Sequence, residues 1–182
     1  NQEQLGATEL VIHNYDDTVA AIERLDGEIP HLARAFKESK RNVCRADIGR
    51  YALIYCYGGI YTDMDVIVLK GGSFSDPTKR PPNGQWIVEF EKNCRGIQGL
   101  ANYFFSAAAG APVMKAILTE AASRCVRILD KKTWSDRDVL TSTGPDVVTD
   151  VLRQPAYSDH ARVRDEQIHH MAIGTWRVGS DV

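Results

Sequence analysis

Arg45-Ala46-Asp47-Ile48-Gly49-Arg50-Tyr51, followed five residues later by Tyr57-Gly58-Gly59-Ile60-Tyr61-Thr62-Asp63-Met64-Asp65, is the stretch from which the rest of the chain can be placed. Between residues 44 and 57 the only glycine is Gly49 and there is no proline. Ala46, Leu53 and Tyr57 recur at helical spacing with Tyr51 and Ile54 beside them, so the segment reads as a mostly buried helix. Gly58-Gly59 supplies the left-handed conformation that stops a helix and reverses the chain. Residues 60–62 and 66–69 are β-branched and aromatic in the manner of strands.

Geometry gives this unit its interest. From Asp47 to Gly58 a helix covers roughly 16 Å at about 1.5 Å per residue. From Gly59 to Asp65 a strand climbs roughly 16–20 Å at about 3.3 Å per residue. A strand running back alongside the helix therefore brings Asp63 and Asp65 level with Asp47 and Arg50. Asp47 and Arg50 share a helix face, and in extended backbone Asp63 and Asp65 point one way while Met64 points the other. The carboxyl end of a strand is where open α/β sheets place their ligands.

Two acidic groups on one face suit a hard divalent cation, Mg²⁺ or Mn²⁺, with positions left for phosphate. A cation so held can bridge a diphosphate and stabilise its departure. The fixed acceptors and donors of Asp47 and Arg50 suit sugar or ribose hydroxyls. The residues by themselves therefore describe a nucleotide-sugar site. For Asp47 and Arg50 the plain alternative is an intrahelical ion pair, and for Asp63 and Asp65 a solvated strand end or turn. A bare D-x-D is common: Asp136-Arg137-Asp138 is a second copy, in the first turn of an expected helix.

Residues 45–66, with Asp-x-x-Arg followed by Gly-Gly-x-Tyr-x-Asp-x-Asp, resemble the signature of glycosyltransferases with a DXD sugar-binding region. Fungal initiating mannosyltransferases and capsular-polysaccharide transferases typify that family, and a similar run occurs in the clostridial glucosylating toxins. The resemblance implies an α/β fold of the GT-A type, a Rossmann-like mixed sheet flanked by helices. It implies transfer of a hexose (mannose, glucose or galactose type) from a UDP- or GDP-sugar to an acceptor hydroxyl, with retention at the anomeric carbon and Mn²⁺ or Mg²⁺ as cofactor. By that resemblance Asp65 binds the metal, Asp63 contacts the metal shell and the donor, and Asp47 and Arg50 hold donor hydroxyls, with Asp63, Asp65 and Arg50 as the catalytic set. Tyr61 positions the donor and Asn102 lies near it. His170, in His169-His170, is the late metal or diphosphate ligand, and Trp176 packs on the nucleotide. Adjacent histidines on a strand face opposite ways, so only one enters the site. The family's usual Ser is Ala46 here.

The competing readings are an inactive nucleotide-sugar-binding scaffold and a phosphatase of the haloacid dehalogenase type. The phosphatase wants D-x-D-G-T, where this chain has Val66-Ile67, and leaves Gly58-Gly59, Asp47 and Arg50 without a role.

With 182 residues, 43% hydrophobic content and a net charge of −2, residues 1–182 suit one catalytic domain with a full core. No basic stripe points to nucleic acid, and no apolar run approaches a membrane span or a signal peptide. Many eukaryotic members carry an N-terminal anchor, so the resemblance implies the Golgi lumen for a eukaryotic protein whose anchor is missing from this sequence, and the cytoplasm otherwise. Lys37, Lys40, Arg41 and Arg45 read as a solvated face. The cysteines read as free thiols, since Cys44 and Cys56 sit roughly 18 Å apart along one helix.

Elsewhere the spacing predicts a strand at 10–12, an Asp-capped helix at 18–25 and a helix opened by Pro30. It predicts a loop at 70–84, strands at 85–90 and 101–106, and a helix at 112–129. Thr141-Ser142-Thr143-Gly144-Pro145-Asp146 should open a helix through a hydroxyl cap, with amides that can face a phosphate. The family's first strand has no counterpart in residues 1–8. That leaves a shortened member or a differently built base-binding edge.

Overall fold

The computed structural model describes residues 5, 7, 9–69, 90–92, 98–157 and 168–171. The expected loop at 70–84, most of the strand at 85–90, and Trp176 lie outside them. The described chain is mixed α/β, with small sheets flanked by helices. Three helices come first: α1 (Tyr15–Arg24), α2 (Leu32–Glu38) and α3 (Asn42–Tyr57). Strands β1 (Gly59–Thr62), β2 (Val66–Val68), β3 (Phe90–Lys92), β4 (Gln98–Leu100) and β5 (Phe104–Ala107) follow. Then come α4 (Pro112–Arg127), α5 (Asp136–Ser142), α6 (Pro145–Leu152), a 3₁₀ turn (Pro155–Tyr157) and β6 (Ile168–His170). The described strands pair as three antiparallel ladders, β1–β5, β2–β6 and β3–β4.

The core lies where α3 and α4 pack on each other, with α3 also against β5 and with α2 and α6 against α4. Val113, Met114, Ile117, Leu118, Ala121, Ala122 and Cys125 fall at helical spacing and bury one side of α4. Tyr51, Phe104 and Phe105 are among the largest fully buried side chains, with Phe105 tilted against Tyr51 and stacked on Tyr61. Burying each such ring contributes about 1.5–3 kcal/mol.

α3 ends as its glycines require. Gly58 has φ 70° and ψ −172°, a region essentially closed to other residues. A Cβ there would also lie 2.7 Å from the Ala109 backbone nitrogen.

Several local readings change. Leu10, Val11 and Ile12 form no strand; they are exposed and pair with no strand among the described residues, and an unpaired extended segment gains no ladder. α1 begins at Tyr15 under an Asn14 cap, and Asp17 closes the capping box rather than capping the helix itself. α2 starts at Leu32, after His31 in a left-handed conformation, so Pro30 belongs to the preceding turn. The buried side of α3 carries Cys44, Ile48, Tyr51 and Ala52, while Ala46 and Tyr57 are exposed. Helical spacing gives a stripe; the partners that cover it decide which stripe is inside.

The basic cluster divides in the same way. Lys37 and Lys40 are exposed, whereas Arg41 is buried, donating to the Trp134 carbonyl. Arg45 donates to the carbonyls of Phe36 and Ser39 at the end of α2, acting as a C-terminal cap. The second D-x-D does open a helix, with Ser135 and Asp138 forming the capping box of α5. Cys44, Cys56 and Cys125 are free thiols, and burial pushes the Cys44 thiol up to about 12. Among the described residues no helix is long and apolar enough to cross a membrane.

Candidate functional site

The site is assembled by the turn of α3 into β1 and by what β5 and β6 bring to it. β1 ends at Thr62, so Asp63 and Asp65 sit in the turn before β2 rather than on an extended strand. Backbone bonds hold that turn. The Asp63 amide donates to the Tyr103 carbonyl at 2.8 Å, Val66 donates back to Asp63 at 3.2 Å, and Met171 donates to Asp65 at 3.0 Å. Met64 is fully exposed.

The β2–β6 register sets Val66 opposite His170 and Ile67 opposite His169. His170 is half-buried and His169 exposed. One carboxylate oxygen of Asp63, one of Asp65 and one ring nitrogen of His170 all lie within 4.8 Å of one another. His170 Nε2 is 3.4 Å from Asp65 Oδ1, and the Tyr103 ring stacks on the imidazole at a centroid distance of 3.9 Å. Two carboxylates and an imidazole converging this closely fit a divalent cation. If one is bound, Asp63, Asp65 and His170 are the residues to hold it.

Beside this cluster stands the α3 pair. Arg50 Nη1 lies 3.2 Å from Asp63 Oδ1 and donates to the Asn102 carbonyl at 2.9 Å. Arg50 Nη2 is 3.4 Å from Asp47 Oδ1, and the guanidinium lies over the Tyr61 ring at 4.9 Å. The Tyr61 hydroxyl donates to Asp63 Oδ1. The first carboxylate of the motif is thus oriented by a guanidinium and a phenol.

Asp47 lies inside. It is 3% exposed, accepting from Asn102 Nδ2 and Thr143 Oγ1, each at 2.9 Å. The Asn102 amide also donates to the Tyr51 hydroxyl, which in turn donates to the Thr143 carbonyl. Every Asp47 oxygen has an internal donor, so its carboxylate holds Arg50 and Asn102 in place. Burial pushes the Asp47 carboxyl up, against the pull of Arg50, Thr143 and Asn102. Burial alone would lower Arg50, but Tyr61, Asp47 and Asp63 outweigh it and hold the guanidinium above its usual range.

The expected hydroxyl cap of α6 is absent. Gly144 is the N-cap, with Pro145 in the first turn, and the Thr143 hydroxyl is spent on Asp47. Sequence reasoning missed Tyr51, Tyr103 and Thr143 as parts of the site. Tyr51 reads as part of a buried helix, Tyr103 as one residue of the strand expected at 101–106, and Thr143 as part of a helix cap. Asn102 lies two residues before β5, within the buried network. The depression of about 470 Å³ lined by Arg124, Arg137 and Asp150 is separate from this cluster, and Arg124 there is tied to Glu120 and Asp150.

The family model of the glycosyltransferase sugar-binding region containing DXD motif matches residues 5–79. The initiation-specific alpha-1,6-mannosyltransferase of Saccharomyces cerevisiae is 40% identical over 55 residues, 30% of this chain and 12% of that protein. The protein of the same name from Candida albicans is 37% identical over 70 residues, 38% of this chain and 15% of its own length. The matches therefore span under a sixth of either relative. The solved PaToxG glycosyltransferase superposes with a TM-score of 0.48 at 24% identity, covering 75% of this chain and 40% of that one. The stretch matched by the family model, residues 5–79, contains the D-x-D of this chain, Asp63-Met64-Asp65.

Proposed function

We propose that residues 1–182 form a GT-A-type catalytic domain that transfers a hexose from a UDP- or GDP-sugar to an acceptor hydroxyl, with retention at the anomeric carbon. The observation that carries this reading is the convergence of Asp63, Asp65 and His170 within 4.8 Å, next to Arg50, with the Asp63–Asp65 turn lying within the family match and His170 brought to it by β6. An imidazole beside two carboxylates suits Mn²⁺ better than Mg²⁺, which keeps to oxygen. A bound cation supplies Lewis-acid stabilisation of the departing diphosphate.

The chain's own groups do the rest. Asp65 and His170 face each other and present ligand atoms, while Asp63 is held in register by Arg50 and the Tyr61 hydroxyl. Arg50, charged and nearly buried, offers donors to donor-sugar hydroxyls at the mouth of the site. Asp47 keeps Arg50 aimed, and the same network sets Asn102 beside it. A haloacid-dehalogenase reading needs Asp63 as a free nucleophile, but its Oδ1 accepts from Tyr61 and pairs with Arg50.

The test is a panel of UDP- and GDP-hexoses with Mn²⁺, read as thermal stabilisation and sugar release in wild type and Asp65→Ala. Stabilisation and turnover by one donor in the wild type, both lost in the variant, are expected. An equal response in the two proteins overturns the assignment.

A further inference from the structure

We infer that Tyr103 is a positioning residue that presets the His170 imidazole for the cation, an inference that rests on the metal reading of Asp63, Asp65 and His170. Tyr103 lies between β4 and β5 and is 7% exposed. Two contacts run from it to the two segments that make the cluster. Its carbonyl accepts the Asp63 amide at 2.8 Å, fixing the start of the D-x-D turn. Its ring lies against the His170 imidazole at 3.9 Å between centroids and 28° between planes.

Those segments are far apart in sequence and are joined by the β2–β6 ladder, which fixes where the His170 backbone lies. A ladder does not fix the side-chain torsions. An imidazole free to turn about its last torsion would spend part of its time with Nε2 away from Asp65. The stacked ring removes that freedom on one side, and His170 Nε2 stands 3.4 Å from Asp65 Oδ1. Removing the hydrogen-bonded partners that orient a metal-binding histidine typically weakens metal affinity about 10–100-fold, which sets the scale for removing a ring that restrains the same torsion. The orienting contact is the aromatic face, which Tyr103→Phe keeps and Tyr103→Leu removes.

The experiment measures Mn²⁺ affinity by electron paramagnetic resonance in wild type, Tyr103→Phe, Tyr103→Leu and Asp65→Ala. About tenfold weaker binding is expected in Tyr103→Leu, and near wild-type binding in Tyr103→Phe. Wild-type affinity in a folded Tyr103→Leu overturns the inference while leaving the metal site standing. Failure of the wild type to bind Mn²⁺, or its indifference to Asp65→Ala, overturns the metal reading and this inference with it. Proton NMR of the wild type gives a check independent of the leucine variant. The His170 ring protons, assigned through His170→Gln, should be shifted upfield by the Tyr103 ring current, and unshifted signals contradict the stacking.

Discussion

At the scale of single residues, the inner and outer carboxylates have different tasks. Asp47 is 3% exposed and locked by Asn102, Thr143 and Arg50, whereas Asp63 has a side chain 26% exposed and shares Arg50 with it. Asp47→Ala would leave Arg50 short of a buried counter-charge and strand the donors of Asn102 and Thr143. A loss of about 3 kcal/mol is expected, measured by chemical denaturation. Asp63→Ala should cost no more than about 1 kcal/mol by the same measurement yet remove Mn²⁺ binding. Similar stability losses for the two would contradict the division. The Asp-x-x-Arg and D-x-D spacings were legible in the sequence because each pair is local. The carboxylate's true partners were not, since Asn102 and Thr143 lie 55 and 96 positions away. No periodicity within α3 encodes which distant donor will arrive.

Among the elements, turns and caps carry the specific information. Gly58-Gly59 announced the reversal after α3, and the structure shows why other residues do not serve at Gly58: positive φ and a backbone nitrogen where a Cβ would sit. Gly58→Ala should therefore lose about 2–3 kcal/mol, seen as a lowered denaturation midpoint. A change under about 0.5 kcal/mol would show that the turn adapts.

α5 offers a pH-dependent case. Partial burial alone would raise Asp138, but the Lys131 ammonium and the Ser135 donors prevail and hold its carboxyl below the usual range. A lowered folded pKa means that its stabilisation is present above the ordinary carboxylate value near 3.8 and is lost as pH falls through the lower folded value. Asp138→Ala should cost about 1 kcal/mol at pH 7, and the gap should narrow in strong acid. A gap independent of pH would contradict the capping account. Such caps are readable because Ser135 and Asp138 are three apart. The failed strand at 10–12 shows the converse, since a strand needs a neighbour and composition alone supplies none.

Over the whole molecule, the family match ends at residue 79, but the cluster does not. Arg50, Tyr61, Asp63 and Asp65 come from the matched region, while Asn102, Tyr103, Thr143 and His170 come from the β4–β5 connection, the α5–α6 corner and β6. The fold's work is to carry those later residues back to one turn. His170 was readable only through resemblance, because nothing in its own neighbourhood specifies pairing with Val66. Pulsed electron paramagnetic resonance of Mn²⁺ bound to the protein tests that convergence most directly. Nitrogen-14 modulation from one imidazole should appear in the wild type and vanish in His170→Gln. Mn²⁺ bound without that modulation, or with modulation that survives the substitution, would contradict a centre built from Asp63, Asp65 and His170.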